Sequence, residues 1–287
     1  MIPDIIFPNL GITFNTVNRA AFTIFGLEIY WYAIFVVLGI AAGVFFGGYF
    51  APKKSGQNPD IYLDYAPIAI ALCIIGARIF YIIFSWDSFS GNILSIFNLR
   101  QGGLAIYGVV ITAVLSAFVY TRIKKIDFLN FVDTGIVGLI IGHAIGRLGN
   151  FVNREAFGSY TNSIFAMQIR IDQIWGTSLI SPEMLVEMNG IQYVQVHPTF
   201  LYEILILTAL FIFLNIYRNH KKFNGELTAY YFLTYGIARF FIEGLRRDQL
   251  LAGNLPVSQL VSALLVVIGA AILIVGFVRL KRDKKPS

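Results

Sequence analysis

Two stretches of this chain, Ile29–Phe50 and Val257–Val278, each run for 22 residues without a charged side chain. A helix needs about 20 mostly apolar residues to cross a hydrocarbon core about 30 Å thick, so either stretch is long enough to span a bilayer. Five more meet or approach that requirement. The seven lie near 27–50, 61–84, 104–121, 128–149, 199–217, 228–245 and 256–279. Only 13% of the 287 residues are charged and 57% are hydrophobic. A soluble globular protein carries roughly 25% charged residues, so this inventory cannot build a water-facing shell. An ordinary cytosolic enzyme, a disordered chain and a coiled coil are excluded. Cys73 is the single cysteine, which rules out an intrachain disulfide and any cysteine-based zinc cluster. Its neighbours Leu72 and Ile74 mark it as a core residue.

The basic residues set the expected orientation. With the N-terminus outside, thirteen fall on the inner side, among them Lys53, Lys54, Arg122, Lys124, Lys125, Arg218, Lys221, Lys222, Lys284 and Lys285. Six fall outside (Arg19, Arg100, Arg154, Arg170, Arg246, Arg247) and three within spans (Arg78, Arg147, Arg239). Every lysine is then inner. An even number of spans would destroy this segregation. The expected fold is an all-α membrane protein, residues 1–287 forming a single polytopic domain of seven transmembrane helices, N-terminus outside and C-terminus inside. The net charge of +6 is a topology signal rather than a nucleic-acid footprint. Segment 1–20 lacks a basic start followed by an apolar stretch, so the first span is expected to act as its own insertion signal. The one long connection, 150–198, is read as an external loop between spans four and five; alternation in Phe165–Ile171 predicts a short extended segment over the outer mouth.

Charged groups inside apolar runs point to function. On insertion scales a charge at the centre of a lone helix costs about 2.5–3.5 kcal/mol, so Arg78, Arg147, Arg239, Asp64, Asp133, Glu203 and Glu243 need partners or water. Asp64 and Asp133, near the starts of their helices, fit an interfacial position. The densest cluster is HAIGRLGNFVNREAFG, His143–Gly158. Arg147 and Asn150 share a helix face, and His143 precedes Arg147 by one turn. Gly138, Gly142 and Gly146 form a small-residue stripe that permits close helix approach. A guanidinium beside an amide suits a phosphate or an ester carbonyl.

The sixth span places Tyr235, Arg239 and Glu243 along one face, and Arg246 and Arg247 are expected at the outer rim among anionic head groups. In HPTFLYE (197–203), Glu203 lies one turn into the fifth span, within reach of an arginine of the fourth or sixth. Tyr30, Trp31 and Tyr32 form an aromatic run at the start of the first span. No Walker A loop, nucleophile elbow or zinc helix is present, and no metal site is expected.

The segments GRLGNFVNREAFG (146–158), HPTFLYE (197–203), GGLAIYG (102–108), GARIFY (76–81) and RFFIEGLRRD (239–248) resemble, in order and over nearly the whole chain, those of the prolipoprotein diacylglyceryl transferase family. The resemblance implies an enzyme of the bacterial cytoplasmic membrane with its site near the outer face. Such an enzyme moves the diacylglyceryl group of phosphatidylglycerol onto the lipobox cysteine thiol of a prolipoprotein, leaving a thioether and glycerol 1-phosphate, without metal or organic cofactor. By position it implicates Tyr32, Arg147, Asn150, Glu155, Gly158, Arg239 and Glu243, supported by Tyr81, Tyr235, His197 and Glu203. Tyr107 stands where some members carry a histidine considered as a base. An ordinary tyrosine titrates near 10, so Tyr107 can serve only if neighbouring arginines lower that value; His143 is another candidate.

On this reading Arg147 and Arg239 hold the phosphate, Asn150 donates to it, Glu243 orients Arg239, and Glu203 or Glu155 positions Arg147. The competing reading is a secondary transporter or carrier of an anionic lipid or solute, which also places paired charges in the membrane. The absence of a repeat between the halves weighs against it.

Overall fold

The computed structural model describes residues 2–89, 93–98, 102–174 and 179–283. Arg100, Lys284 and Lys285, used above in reading the charges, lie outside the described residues. In chain order the strands and helices are β1 (Ile5–Phe7), β2 (Ile12–Phe14), β3 (Ala20–Ile24), β4 (Leu27–Tyr30), α1 (Trp31–Gly43), α2 (Ala51–Lys54), α3 (Pro59–Phe84), α4 (Ile106–Lys124) and α5 (Phe128–Asn153). There follow β5 (Met167–Arg170), β6 (Leu185–Met188), β7 (Ile191–Val196), α6 (Thr199–Tyr217), α7 (Glu226–Leu245), β8 (Leu251–Ala252), β9 (Leu255–Pro256) and α8 (Val257–Asp283). A π-helical stretch, Val44–Phe50, joins α1 to α2.

Among the described residues, six helices are long and apolar enough to cross a membrane: Trp31–Lys54, Pro59–Phe84, Ile106–Lys124, Phe128–Asn153, Thr199–His220 and Val257–Asp283. The seventh expected span is a helix, α7, of 20 residues. Glu226, Arg239, Glu243 and three tyrosines dilute its apolar character, and it is not among the six. Large apolar side chains face outward along the spans: Val37 is 64% exposed, Ile216 66% and Val267 65%. Such a surface belongs against hydrocarbon rather than water. This is a multi-pass, mostly helical membrane protein.

Two compact units divide the chain, Met1–Gly43 with Ile136–Ser287, and Val44–Gly135. The first contains a feature beyond the all-α expectation, a five-stranded antiparallel sheet of order β2-β1-β5-β7-β6. Its β5 lies within the segment whose alternation predicted extended structure: Met167 and Ile169 are buried while Gln168 and Arg170 are partly exposed, the period of two that a half-buried strand requires. Ile5, Ile169, Met184, Val194 and Val196 are fully buried there with Phe157 and Phe200 packed among them. Leu27–Tyr30, expected as the start of the first span, pairs instead with β3, so helix begins at Trp31.

A second cluster joins α5, α6 and α7 through Ile140, Ala144, Leu207, Leu210, Leu227 and Tyr231. The glycine stripe on α5 has a partner in α1: a Cβ on Gly142 would stand 2.8 Å from the Gly39 carbonyl oxygen, and one on Gly39 would stand 2.7 Å from that of Gly142. Gly146 has nothing within 4 Å of such a position.

In the second unit α3 and α4 pack together, with Tyr62 stacked on Phe131 at 4.6 Å. Asn58 caps α3 by accepting from the Asp60 N–H, with Pro59 at the first helical position, where its missing N–H costs nothing. The buried Arg78 donates to the carbonyls of Ser95, Ile96, Asn98, Gly102 and Gly103. Its charge is balanced by carbonyl dipoles, which accounts for an arginine in GARIFY and for the glycine pair of GGLAIYG. Asp64 pairs with Lys124 at 3.7 Å. Asp133, near the start of α5, is fully buried and partnered.

The glycine contacts give a paired expectation. Gly142→Ala should lower stability by roughly 1–3 kcal/mol through overpacking, whereas Gly146→Ala should be neutral or gain up to about 1 kcal/mol of helix propensity. Denaturation of the two purified variants under identical conditions checks the difference.

Candidate active site

Within the first unit, α5, α6 and α7 each contribute a charged side chain to one chain of contacts. Glu203, one turn into α6, is 3% exposed. One of its carboxylate oxygens contacts Nε of Arg147; the other accepts from Nη1 of Arg239 at 3.1 Å. Nη2 of Arg239 donates to Glu243 at 2.5 Å, one turn along α7, and Nε of Arg246 approaches the same Glu243 oxygen at 4.0 Å. Arg246 then grips Asp248 with two hydrogen bonds, 2.9 and 2.7 Å. Positive and negative charges alternate along Arg147, Glu203, Arg239, Glu243, Arg246 and Asp248. Alternation is what a low-dielectric site demands, because a removed partner leaves an uncompensated buried charge. In these contacts Arg147 engages through Nε and Arg239 through Nη1 and Nη2. A guanidinium has five N–H donors, so donors remain for a ligand.

Arg147 also donates from Nη1 to Asn150 Oδ1 at 3.1 Å, the pair that their spacing of three residues suggested. Asn150 in turn donates to Glu155 at 2.8 Å, joined by Asn153 at 3.3 Å. Glu155 therefore touches Arg147 only through Asn150, while Glu203 contacts it directly. Tyr32 lies against α5 where Gly149 leaves room, since a Cβ there would stand 2.5 Å from the ring. Tyr235 stacks on Tyr231 at 5.5 Å and meets the His143 ring edge-on at 5.4 Å, which places His143 one helical turn from Arg147 with an aromatic neighbour.

Gly158 sits at a junction of three segments. Its N–H donates to the His197 carbonyl and it bridges to Arg246; a Cβ would stand 2.8 Å from His197 and 2.9 Å from the Leu245 carbonyl. The chain leaving α5 is thereby tied to the start of α6 and the end of α7. His197 Nδ1 is 3.0 Å from the Tyr202 hydroxyl, and burial pushes its imidazole below the ordinary range, so the ring is neutral near pH 7. Tyr81 and Tyr107 belong to the second unit. Tyr81 lies under Arg78 and against Phe89, and Tyr107 packs near Phe80 at 6.4 Å.

A cavity of about 420 Å³ opens beside this network, lined by Arg19, Tyr30, Tyr32, Asn153, Arg154, Glu155 and Asp248 among others. Asp248 and Arg19 were not singled out from sequence. Asp248 stands inside the RFFIEGLRRD segment, two residues beyond Arg246, and that spacing in an exposed turn was the available signal. Arg246, expected at a rim facing lipid head groups, is mostly buried with its fork on Asp248, because the turn after α7 folds that carboxylate back over it. Among the described residues no group of three or more His, Cys, Asp or Glu side chains is placed to hold a metal ion.

The fold and this network define a helical membrane protein with a buried chain of alternating arginines and carboxylates. Residues 19–275 match the family model described as prolipoprotein diacylglyceryl transferase. Two relatives named phosphatidylglycerol–prolipoprotein diacylglyceryl transferase are each 42% identical: one from Finegoldia magna over 253 residues (88% of this chain, 93% of the relative), one from Clostridioides difficile over 255 residues (89% and 93%). A Clostridium perfringens protein named phosphatidylglycerol–prolipoprotein diacylglyceryl transferase 1 is 37% identical over 273 residues, covering 93% of this chain and 98% of its own. The chain belongs to the prolipoprotein diacylglyceryl transferase family.

Two expectations follow from the charge alternation. Glu203→Gln leaves Arg147 and Arg239 without their shared counter-charge and should cost about 3–5 kcal/mol, read as a lowered thermal midpoint of the purified chain. Burial acts to raise the Asp248 carboxyl, but the hydrogen bonds and charge of Arg246 outweigh it and hold the group below the usual carboxylate range. That contribution to stability is complete above the unfolded value, about 3.9, and is lost as pH falls through the lower folded value. Wild type should therefore lose stability more steeply below about pH 4 than Asp248→Asn, as thermal melts across acid pH would show.

Proposed function

We propose that this chain is the enzyme that transfers the diacylglyceryl group of phosphatidylglycerol to the lipobox cysteine of prolipoproteins in the bacterial cytoplasmic membrane. The observation that carries the reading is the pair of guanidinium groups, Arg147 on α5 and Arg239 on α7, held side by side by one buried carboxylate. The thiol of the incoming cysteine has an ordinary pKa near 8.5 and reacts as thiolate. Its sulfur attacks the glycerol carbon that bears the phosphate. The new carbon–sulfur bond forms as the carbon–oxygen bond breaks, and the electron pair leaves on phosphate oxygen as glycerol 1-phosphate. Negative charge grows on that phosphate, and fixed donors in a site poor in water stabilise such charge without reorganising. Arg147, with Asn150 beside it, and Arg239 supply those donors; Glu203 and Glu243 fix the two forks. No cofactor is required in this reading, because the leaving group is already present in the lipid.

The cavity lined by Tyr32 and Glu155 lies next to the network and offers room for a headgroup or the cysteine-bearing segment. In this reading α7 makes the seventh crossing. Its Arg239 reaches Glu203 and its buried Glu243 pairs with Arg239, so its lower hydropathy reflects the site it carries. Seven crossings with every lysine on the inner side would carry the N-terminus, the sheet and the site to the outer face, which is the orientation we propose. The three relatives compared carry transferase names, and no observation favours the carrier reading.

The purified chain, given phosphatidylglycerol and a lipobox peptide, should add one diacylglyceryl mass to the cysteine. Arg147→Lys and Arg239→Lys keep the charge but lose the planar fork, and each should slow transfer by about tenfold or more. Unimpaired transfer by both variants would refute the paired-guanidinium mechanism.

A further inference from the structure

The family match begins at residue 19, yet the sheet is completed by strands from before that point. Asp4, just ahead of β1, is 6% exposed. Its Oδ2 accepts from the Val17 N–H at 2.9 Å and faces Arg154 Nη2 at 3.4 Å; its Oδ1 faces Arg170 Nη1 at 3.1 Å. Arg154 is 4% exposed, and its Nη2 also donates to the Val17 carbonyl. The guanidinium that follows α5 is thus held by Asp4 and Val17, with its Nη1 on the Val152 carbonyl at 3.4 Å.

What Arg154 holds is the turn that presents Glu155. Arg154 and Ala156 both have left-handed backbone, φ of 55° and 57°. Residues with a Cβ enter that region at a cost and remain there only when the surroundings hold them. Between them, the Glu155 N–H donates to the Asn150 carbonyl at 3.2 Å, and its side chain receives the Asn150 amide that also contacts Arg147. Contacts therefore run without a break from Asp4 through Arg154 and the strained turn to Glu155, Asn150 and Arg147.

We infer that Asp4, through Arg154, is a positioning residue for the transferase site, so that the N-terminal segment outside the family match works as part of it. The inference rests on the proposed function for its kinetic consequence and on geometry alone for its structural one. Asp4→Asn keeps the side chain's shape and an acceptor for Val17 but removes the charge that holds Arg154. The left-handed turn then loses one of its restraints, the others being the Phe151 carbonyl on the Arg154 N–H and the Thr199 hydroxyl on the Ala156 carbonyl, and Glu155 holds Asn150 beside Arg147 less firmly. A carboxylate that only stapled the sheet would affect β1 and β5 and leave this turn alone.

Two measurements on the full chain test it. Hydrogen–deuterium exchange should rise at 154–156 in Asp4→Asn while the interior of α5 around Ile140 is unchanged; unchanged exchange at the turn overturns the inference whether or not the chain transfers lipid. In the transfer assay, kcat of Asp4→Asn should fall about tenfold, the order of one charge-assisted hydrogen bond, and Asp4→Glu should recover part of it. Combined with Glu155→Gln, Asp4→Asn should add no further loss, because both act through one group. Losses that multiply, or a kcat of Asp4→Asn within twofold of wild type, overturn the inference.

Discussion

Glu203 is a carboxylate almost closed to solvent, and its two oxygens face two guanidinium groups from different helices. Without it, Arg147 and Arg239 would repel each other in a region of low dielectric, where like charges close together are costly. With it, the two forks are held near one another while donors on each remain for a ligand. Much of the surrounding architecture serves this arrangement. Gly39 and Gly142 let α1 approach α5, Gly158 ties the end of α5 to the start of α6 and the end of α7, and Leu207, Ala144 and Tyr231 fill the space between the three helices.

The network is also a gradient of exposure. Glu203 and Glu243 are buried, Arg147 and Arg239 are slightly more open, and Glu155 at the edge is exposed. Charge is thus enclosed at the centre of the network and open to solvent at its Glu155 edge. Arg78 illustrates the opposite solution in the second unit. There a single arginine is satisfied by five backbone carbonyls, with no donor group left to suggest a ligand. Two arginines in apolar helices therefore have different meanings, and the partners decide which.

The helices were readable because lipid-spanning segments must be long and apolar, and six of them meet that requirement by composition alone. The contact between Arg147 and Asn150 and the pairing of Arg239 with Glu243 were also legible, since residues three or four apart on a helix lie on the same face. The β-sheet was largely hidden. Only β5 announced itself by alternation; β1 is three residues long, and its pairing with Ile169 depends on a partner more than 160 residues away. Asp133 lies near the start of its helix and is fully buried; that burial was not legible, because position along a helix does not reveal what packs against it.

Sequence by itself determined which segments suit the bilayer, which side chains are too costly to leave unpaired there, and the family to which the motifs point. Tertiary structure alone decided who pairs with whom: that Glu203 rather than Glu155 contacts Arg147, that Arg246 turns to Asp248, and that Asp4 reaches Arg154. The reason is physical. Periodicity fixes the direction of a side chain about its own helix axis, but the identity of a partner depends on how separate elements dock, and docking is set by packing across the whole unit.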